Sequence, residues 1–188
     1  MQIDNQFEVT APLDHLWEYL LDVARVAPCM PGAELTEVVD DRTWKGRVNV
    51  KLGPVSLSFA GTVRMEERDD AAHRVVLKAQ GMEQKGKGAA SATVTSWLEA
   101  GDGITTVKMT ADITMSGLVA QMSRGMLPDI SRKLTEEFAE CLRGSMIASE
   151  EQLVHEAAGP KATPVKGVSL GLWALWRAIA RLFRRTPT

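Results

Sequence analysis

The chain has 188 residues, 45% of them apolar, with 22 basic and 24 acidic side chains and a net charge of −2. That is one domain's length with room for an appendage, and it is apolar enough for a sizeable core. Residues 161–188 carry six basic groups and no acid, which leaves 16 basic against 24 acidic residues in 1–160; an acidic body argues against nucleic acid as the main partner.

The opening residues, MQIDNQFEVTAP, hold neither a basic n-region nor an apolar h-region. No signal peptide is visible, so the expectation is a cytoplasmic protein whose two cysteines, Cys29 and Cys141, are free thiols. Ile3, Phe7 and Val9 alternate along a first strand. Thr10 is placed to cap a helix with Pro12 in its first turn and Leu13, Leu16, Trp17 and Leu20 as its apolar stripe. Pro28 and Pro31-Gly32 end that helical region in a loop. Residues 43–52 then alternate, with Trp44, Val48, Val50 and Leu52 against Lys45, Arg47, Asn49 and Lys51. Gly53-Pro54 is a turn signal. Val55, Leu57, Phe59, Val63 and Met65 share one side of the next strand. After Asp69-Asp70, Val75, Leu77, Ala79 and Gly81 share one side of another. Residues 87–98 form a further strand. Beyond the Gly101-Asp102-Gly103 turn, Val107, Met109, Ala111, Ile113 and Met115 line one side of the last. Evenly spaced alternating strands with short turns imply a curved antiparallel sheet with one wet face.

From Leu118 to about His155 the period becomes helical, with Met122, Met126, Ile130, Leu134, Phe138, Cys141 and Met146 or Ser145 as the buried stripe. Pro128 predicts a kink or restart near Leu127. Glu156–Gly167 reads as a linker that reaches about 40 Å when extended. Residues 168–188 form an appended amphipathic helix. Its apolar stripe comprises Val168, Leu172, Leu175, Trp176, Ile179, Leu182 and Phe183, with Arg177, Arg181, Arg184 and Arg185 on the other side and toward the end. Trp173 and Trp176 suit a membrane interface, and the arginines suit anionic lipid. The membrane-binding residues are therefore read as Leu172, Trp173, Leu175, Trp176, Arg177, Ile179, Arg181, Leu182, Phe183, Arg184 and Arg185. No apolar run reaches the roughly 20 residues of a spanning helix, so the tail lies on a membrane. The alternative is a tail that packs in an acidic protein groove or against another copy.

The domain plan is thus a body over 1–155, a linker over 156–167 and a membrane-binding helix over 168–188. The body is α+β, a curved antiparallel sheet of about seven strands gripping a long C-terminal helix. Two adjacent strands turn small side chains inward, Ala79 and Gly81 on one and Gly88, Ala90 and Ala92 on the next. Small inner residues leave volume between sheet and helix, and methionines suit a pocket for a flexible apolar guest. Strand parity nominates Leu57, Phe59, Met65, Leu77, Val94, Met109, Ile113, Met115, Met122 and Met126 as ligand-binding residues, with the Met30–Glu34 loop as a lip. The alternative is a core filled by the helix side chains.

Catalytic and metal constellations are missing from the sequence. His15, His73 and His155 show no ligand spacing and read as solvated. There is no HExxH, CxxC, phosphate loop or nucleophile elbow. Cys29 has no histidine near it in sequence, and Gly81–Gly88 reads as a turn between strands. The inward faces offer almost no acid or base, which weighs against an enzyme.

Several segments resemble the CoxG family, the G subunits of carbon monoxide dehydrogenase, a branch of the START-like (SRPBCC) superfamily. They are the run from Val26 through Cys29-Met30-Pro31-Gly32-Ala33-Glu34 to Leu35, the segments 50–55 and 59–63, the run 86–94, and Ser116-Gly117, Arg124-Gly125 and Asp129-Ile130-Ser131. The resemblance covers residues 1 to about 150. It implies a helix-grip fold with an apolar cavity, and a link to a molybdenum-containing carbon monoxide dehydrogenase, or a related molybdenum hydroxylase, and to its attachment to the membrane. It carries over no catalytic residue.

Together these readings lead to an expected accessory protein without catalysis of its own or a covalent cofactor. It would sit on the inner face of the cell membrane, recruit the dehydrogenase and present an isoprenoid quinone, menaquinone or ubiquinone, as electron acceptor. The alternatives are a recruiting scaffold without ligand, or a START-like cyclase or hydrolase acting on an apolar substrate. If the tail is the membrane tether, deleting residues 168–188 shifts the protein from the membrane fraction to the soluble one. A synthetic 165–188 peptide that ignores anionic liposomes in flotation would instead favour the protein groove.

Overall fold

A computed structural model describes residues 1–52, 55–123 and 125–157. The chain divides into a unit Met1–Glu150 and a second unit from Glu151. Strand β1 (Gln2–Val9) leads through α1 (Leu13–Leu21), α2 (Val23–Val26) and a 3-10 turn (Ala27–Cys29) into six consecutive strands. These are β2 (Ala33–Asp40), β3 (Thr43–Leu52), β4 (Val55–Asp69), β5 (Arg74–Glu83), β6 (Ala89–Ala100) and β7 (Thr105–Met115). Helices α3 (Gly117–Ser123) and α4 (Leu127–Ala157) follow. The strands form one antiparallel sheet in the order β1-β7-β6-β5-β4-β3-β2. The first strand thus returns to pair with the last, Ile3 opposite Ala111 and Phe7 opposite Val107. This is the expected α+β helix-grip architecture.

Local chemistry explains most boundaries and corrects others. Pro128 falls in the first turn of α4, where a missing N–H costs nothing, so the helical region restarts there as its position predicts. Thr10 does not cap α1: Pro12 occupies the N-cap position, and no side chain caps it. The hydroxyl of Thr105 instead donates to the Ala11 carbonyl at 2.8 Å, tying this corner to β7. Strand β2 carries no clear signal in the sequence. Its exposure does not alternate cleanly, because none of its side chains is buried.

The main core lies where α1 and α4 meet the end of the sheet formed by β1, β6 and β7. Phe7, Val9, Leu98 and Val107 pack there against Leu16, Trp17 and Tyr19 of α1 and Phe138, Ala139, Leu142 and Met146 of α4. Burial of each large side chain contributes about 1.5–3 kcal/mol. Phe7 and Phe138 meet edge to face at 5.8 Å. The buried stripe of α4 therefore runs through Ala139 and Leu142, one residue off the expected Cys141. The β4–β5 turn is pinned to α1: Trp17 Nε1 donates to Asp70 at 2.9 Å, and His73 pairs with Asp14 at 3.0 Å. His73, expected to be solvated, packs edge-on against Trp17.

The expectation of free thiols is also overturned. Cys29 and Cys141 form a disulfide, with 5.3 Å between their Cα atoms and 112 residues between them in sequence. No local pattern signals this pairing, since it exists only because α4 crosses the 3-10 turn. The bond closes a loop that spans most of the sheet, and a crosslink of this kind restricts the unfolded chain by about 2–4 kcal/mol. Reduction, or the Cys141→Ser substitution, should lower stability by that amount in a urea titration while leaving the sheet's far-UV dichroism intact.

Candidate ligand-binding trough

The face of the sheet that meets α4 is defined by Phe7 and by Asn5, whose Nδ2 donates to Ser131 Oγ at 2.7 Å. Strand parity and register carry this face across the sheet in rows. One row is Met65, Leu77, Val94 and Ala111; the next is Val63, Ala79, Ala92 and Ile113; the next is Gly61, Gly81, Ala90 and Met115. Four of the five expected small residues are thus direct cross-strand partners, Ala79 with Ala92 and Gly81 with Ala90, while Gly88 lies in the turn before β6.

Apolar packing along α4 is split in two. The main core covers one end of the inner face. At the other end a second cluster holds Leu57 of β4 and Val119 of α3, with Val50, Phe59, Met115 and Ile130 against them. Between the two, Leu77, Ala79, Ala92, Val94, Ala111 and Ile113 belong to neither cluster and keep accessible surface; Val63 remains 36% exposed. Side chains in the middle of a seven-stranded sheet and beneath a long helix are normally sealed. Here these apolar side chains, and Leu134 of α4 between Ile130 and Phe138, are only half-buried, which makes the stretch between the clusters a candidate apolar trough.

The residues nominated from sequence divide accordingly. Leu77, Val94 and Ile113 are in the floor, with Met65 buried at the edge of the same row. Leu57, Phe59 and Met115 form the second cluster, and Met109 flanks the main core. Met126 is 39% exposed ahead of α4. The side chain of Met122, and all the nominated tail residues, lie outside the described residues. Ala79, Ala92 and Val63 complete the floor; the first two are noted above as small but are not among the nominated residues. A separate open depression of about 570 Å³ has most of its lining on the opposite face, where Thr62, Gln80, Ser91 and Thr114 form one row. It shares only Met115 with the nominated set.

The trough has one polar feature that sequence reading misses. Glu83 ends β5 two residues beyond Gly81, on the same inner face and opposite Phe59. It is 3% exposed. Its Oε2 accepts backbone N–H groups of Lys85 at 2.8 Å and Lys87 at 3.1 Å, while Oε1 is buried with no hydrogen-bond partner. Burial pushes the carboxyl pKa up, but the N–H groups of Lys87, Lys85 and Ser58 and the Lys87 charge together take it below the ordinary value. The Ser58 N–H adds to this lowering without making a hydrogen bond to Oε1. The turn is fixed in place by its neighbours: Lys87 O accepts from Val119 N at 3.1 Å, and Gln84 N donates to Ser58 O at 2.8 Å. Gly88 is required there, since its φ is +140° and a Cβ would strike the Ser116 carbonyl. The available signal is the parity Val75, Leu77, Ala79, Gly81, which continues to Glu83. Reading Gly81–Gly88 as a plain turn cuts it short.

Among the described residues, no three His, Cys, Asp or Glu side chains are placed to hold a metal, and no helix is long and apolar enough to cross a membrane. The family model for the G subunit of carbon monoxide dehydrogenase (CoxG) matches residues 6–147. The chain belongs to this family. None of the curated proteins matches it. Among solved structures it is similar to a conserved protein from Geobacillus kaustophilus, at 17% identity and a TM-score of 0.71 over 79% of this chain and 97% of that one. A Thermus thermophilus protein follows at 14% and 0.59, over 79% and 99% of the two chains. Protein Ms6760 of Mycobacterium smegmatis stands at 14% and 0.57, over 79% and 92%. At such identities the likeness establishes the fold, which is START-like. CoxG membership and this fold together support an accessory role.

If the trough is open space, Ala92→Leu adds side chain without a clash, and the thermal midpoint stays within a few degrees of wild type. A filled core would instead lose about 1–3 kcal/mol to overpacking.

Proposed function

We propose that this protein binds a lipophilic ligand, an isoprenoid quinone, in the trough between sheet and α4. It would present that ligand as electron acceptor to a molybdenum-containing carbon monoxide dehydrogenase, or a related hydroxylase, at the membrane. The observation that carries this reading is the gap between the two apolar clusters. Leu77, Val94, Ile113, Ala79 and Ala92 form an apolar floor that, among the described residues, belongs to neither cluster. Family membership adds the enzyme partner, since the family is named for that dehydrogenase. Respiratory quinones are dissolved in lipid and the dehydrogenase is a soluble redox enzyme, so a carrier that shields the quinone from water joins the two. Each buried CH₂ of a prenyl chain contributes about 0.8 kcal/mol, which lets a dry trough compete with the bilayer. The amphipathic pattern of 168–188 supports a tether that keeps the trough near its lipid source.

Protein purified from its source membranes and extracted with organic solvent should yield menaquinone or ubiquinone by mass spectrometry. The Ala92→Leu variant, folded but with its floor filled, should yield at least about tenfold less, the size of a few lost methylene contacts. An extract without any prenyl lipid from the wild-type protein would sink the carrier reading and leave recruitment alone.

A further inference from the structure

We propose that Glu83 is the polar anchor of the trough, taking a hydrogen bond from a hydroxyl on the ligand's head, so that the protein binds the reduced, hydroxyl-bearing form of its carrier in preference to the oxidised form. This rests on the reading of the trough as a quinone site.

Two observations carry it. The first is an unmet acceptor. Glu83 is more than nine-tenths buried, one carboxylate oxygen is satisfied by two backbone N–H groups, and the other has no donor. A buried acceptor without a donor has given up its water and received nothing in return, and such groups in native proteins call for an explanation. The second is placement. Glu83 lies on the inner face opposite Phe59, two residues along β5 from Gly81 and four from Ala79. It therefore stands at the end of the apolar floor, where a ligand lying along the sheet puts its head.

Chemistry then selects the form of the head. A carboxylate only accepts hydrogen bonds. A quinone ring presents two carbonyl oxygens, which are acceptors as well, so the two repel. The hydroquinone presents two O–H donors, and one of them meets the free Oε1. The two N–H groups of the turn hold the carboxylate from its other oxygen, so the anchor stays in place whether or not a ligand is bound. Oε1 is sealed from solvent in this structure, so the head reaches it by displacing the side chains that cover it. A carrier with this preference holds the product of the partner's reduction step and returns it to the membrane.

The test compares three ligands on the full-length protein under anaerobic conditions by tryptophan-fluorescence titration. They are a naphthoquinone with two isoprene units, its hydroquinone and the dimethyl ether of that hydroquinone. The wild-type protein should bind the hydroquinone at least about tenfold more tightly than either of the others, the size of one hydrogen bond to a charged group. Glu83→Gln keeps an oxygen for the N–H groups of Lys85 and Lys87 and places an amide donor where Oε1 was. It should lose the preference and gain affinity for the quinone. Equal wild-type binding of quinone and hydroquinone, or an unchanged ratio in Glu83→Gln, overturns the anchor while leaving the quinone site standing. Failure of all three to bind overturns both. A Glu83→Leu variant with the same ratio as wild type would also remove Glu83 from the head.

Discussion

Helix α4 contributes to two separate apolar clusters against the sheet. At one end Phe7, Leu98 and Val107 receive Phe138, Leu142 and Met146. At the other, Leu57 and Val119 draw in Ile130, Phe59 and Met115. Between them the sheet offers the small residues Ala79, Ala92, Gly81 and Ala90. About two turns of α4 separate Ile130 from Phe138, and both clusters stabilise the fold. Substitutions in the clusters act on stability.

The boundaries of this arrangement are secured by contacts distant in sequence. The Cys29–Cys141 disulfide fastens the segment after α1 to α4 beside the main core. The Glu83–Gly88 turn fastens the opposite end, where Lys87 and Gly88 lie against the start of α3 and Gln84 is bonded to Ser58 of β4. Both fastenings consist of short, directional contacts that keep the ends of the trough in register with its floor. Glu83 belongs to the second fastening and also supplies the one unpaired polar side-chain atom found buried among the described residues. Structure and recognition therefore meet in one side chain.

The alternation of the strands is legible in the sequence because each has one wet and one dry face. Leaving out Leu52 and Val55, the inward residues named along β3, β4, β5 and β7 share one face of the sheet by register, and Ala79 and Ala92 are partners. Strand β2 is not legible, because a strand that buries no side chain carries no strong period. Only some of the nominated ligand residues reach the floor. Parity tells which face a side chain takes but not where along the strand the helix crosses. Leu57, Phe59 and Met115 therefore read as trough residues when they belong to a cluster at its end.

The sequence by itself determined the element types, the inward and outward faces, the restart at Pro128 and the charge contrast between body and tail, since each follows from spacing or composition within a short stretch. Only the tertiary structure decided the Cys29–Cys141 pairing, the division of the core into two clusters, the trough between them and the unpaired oxygen of Glu83. Those depend on residues as distant in sequence as Phe7 and Phe138 meeting in space, and no local period encodes which two will meet.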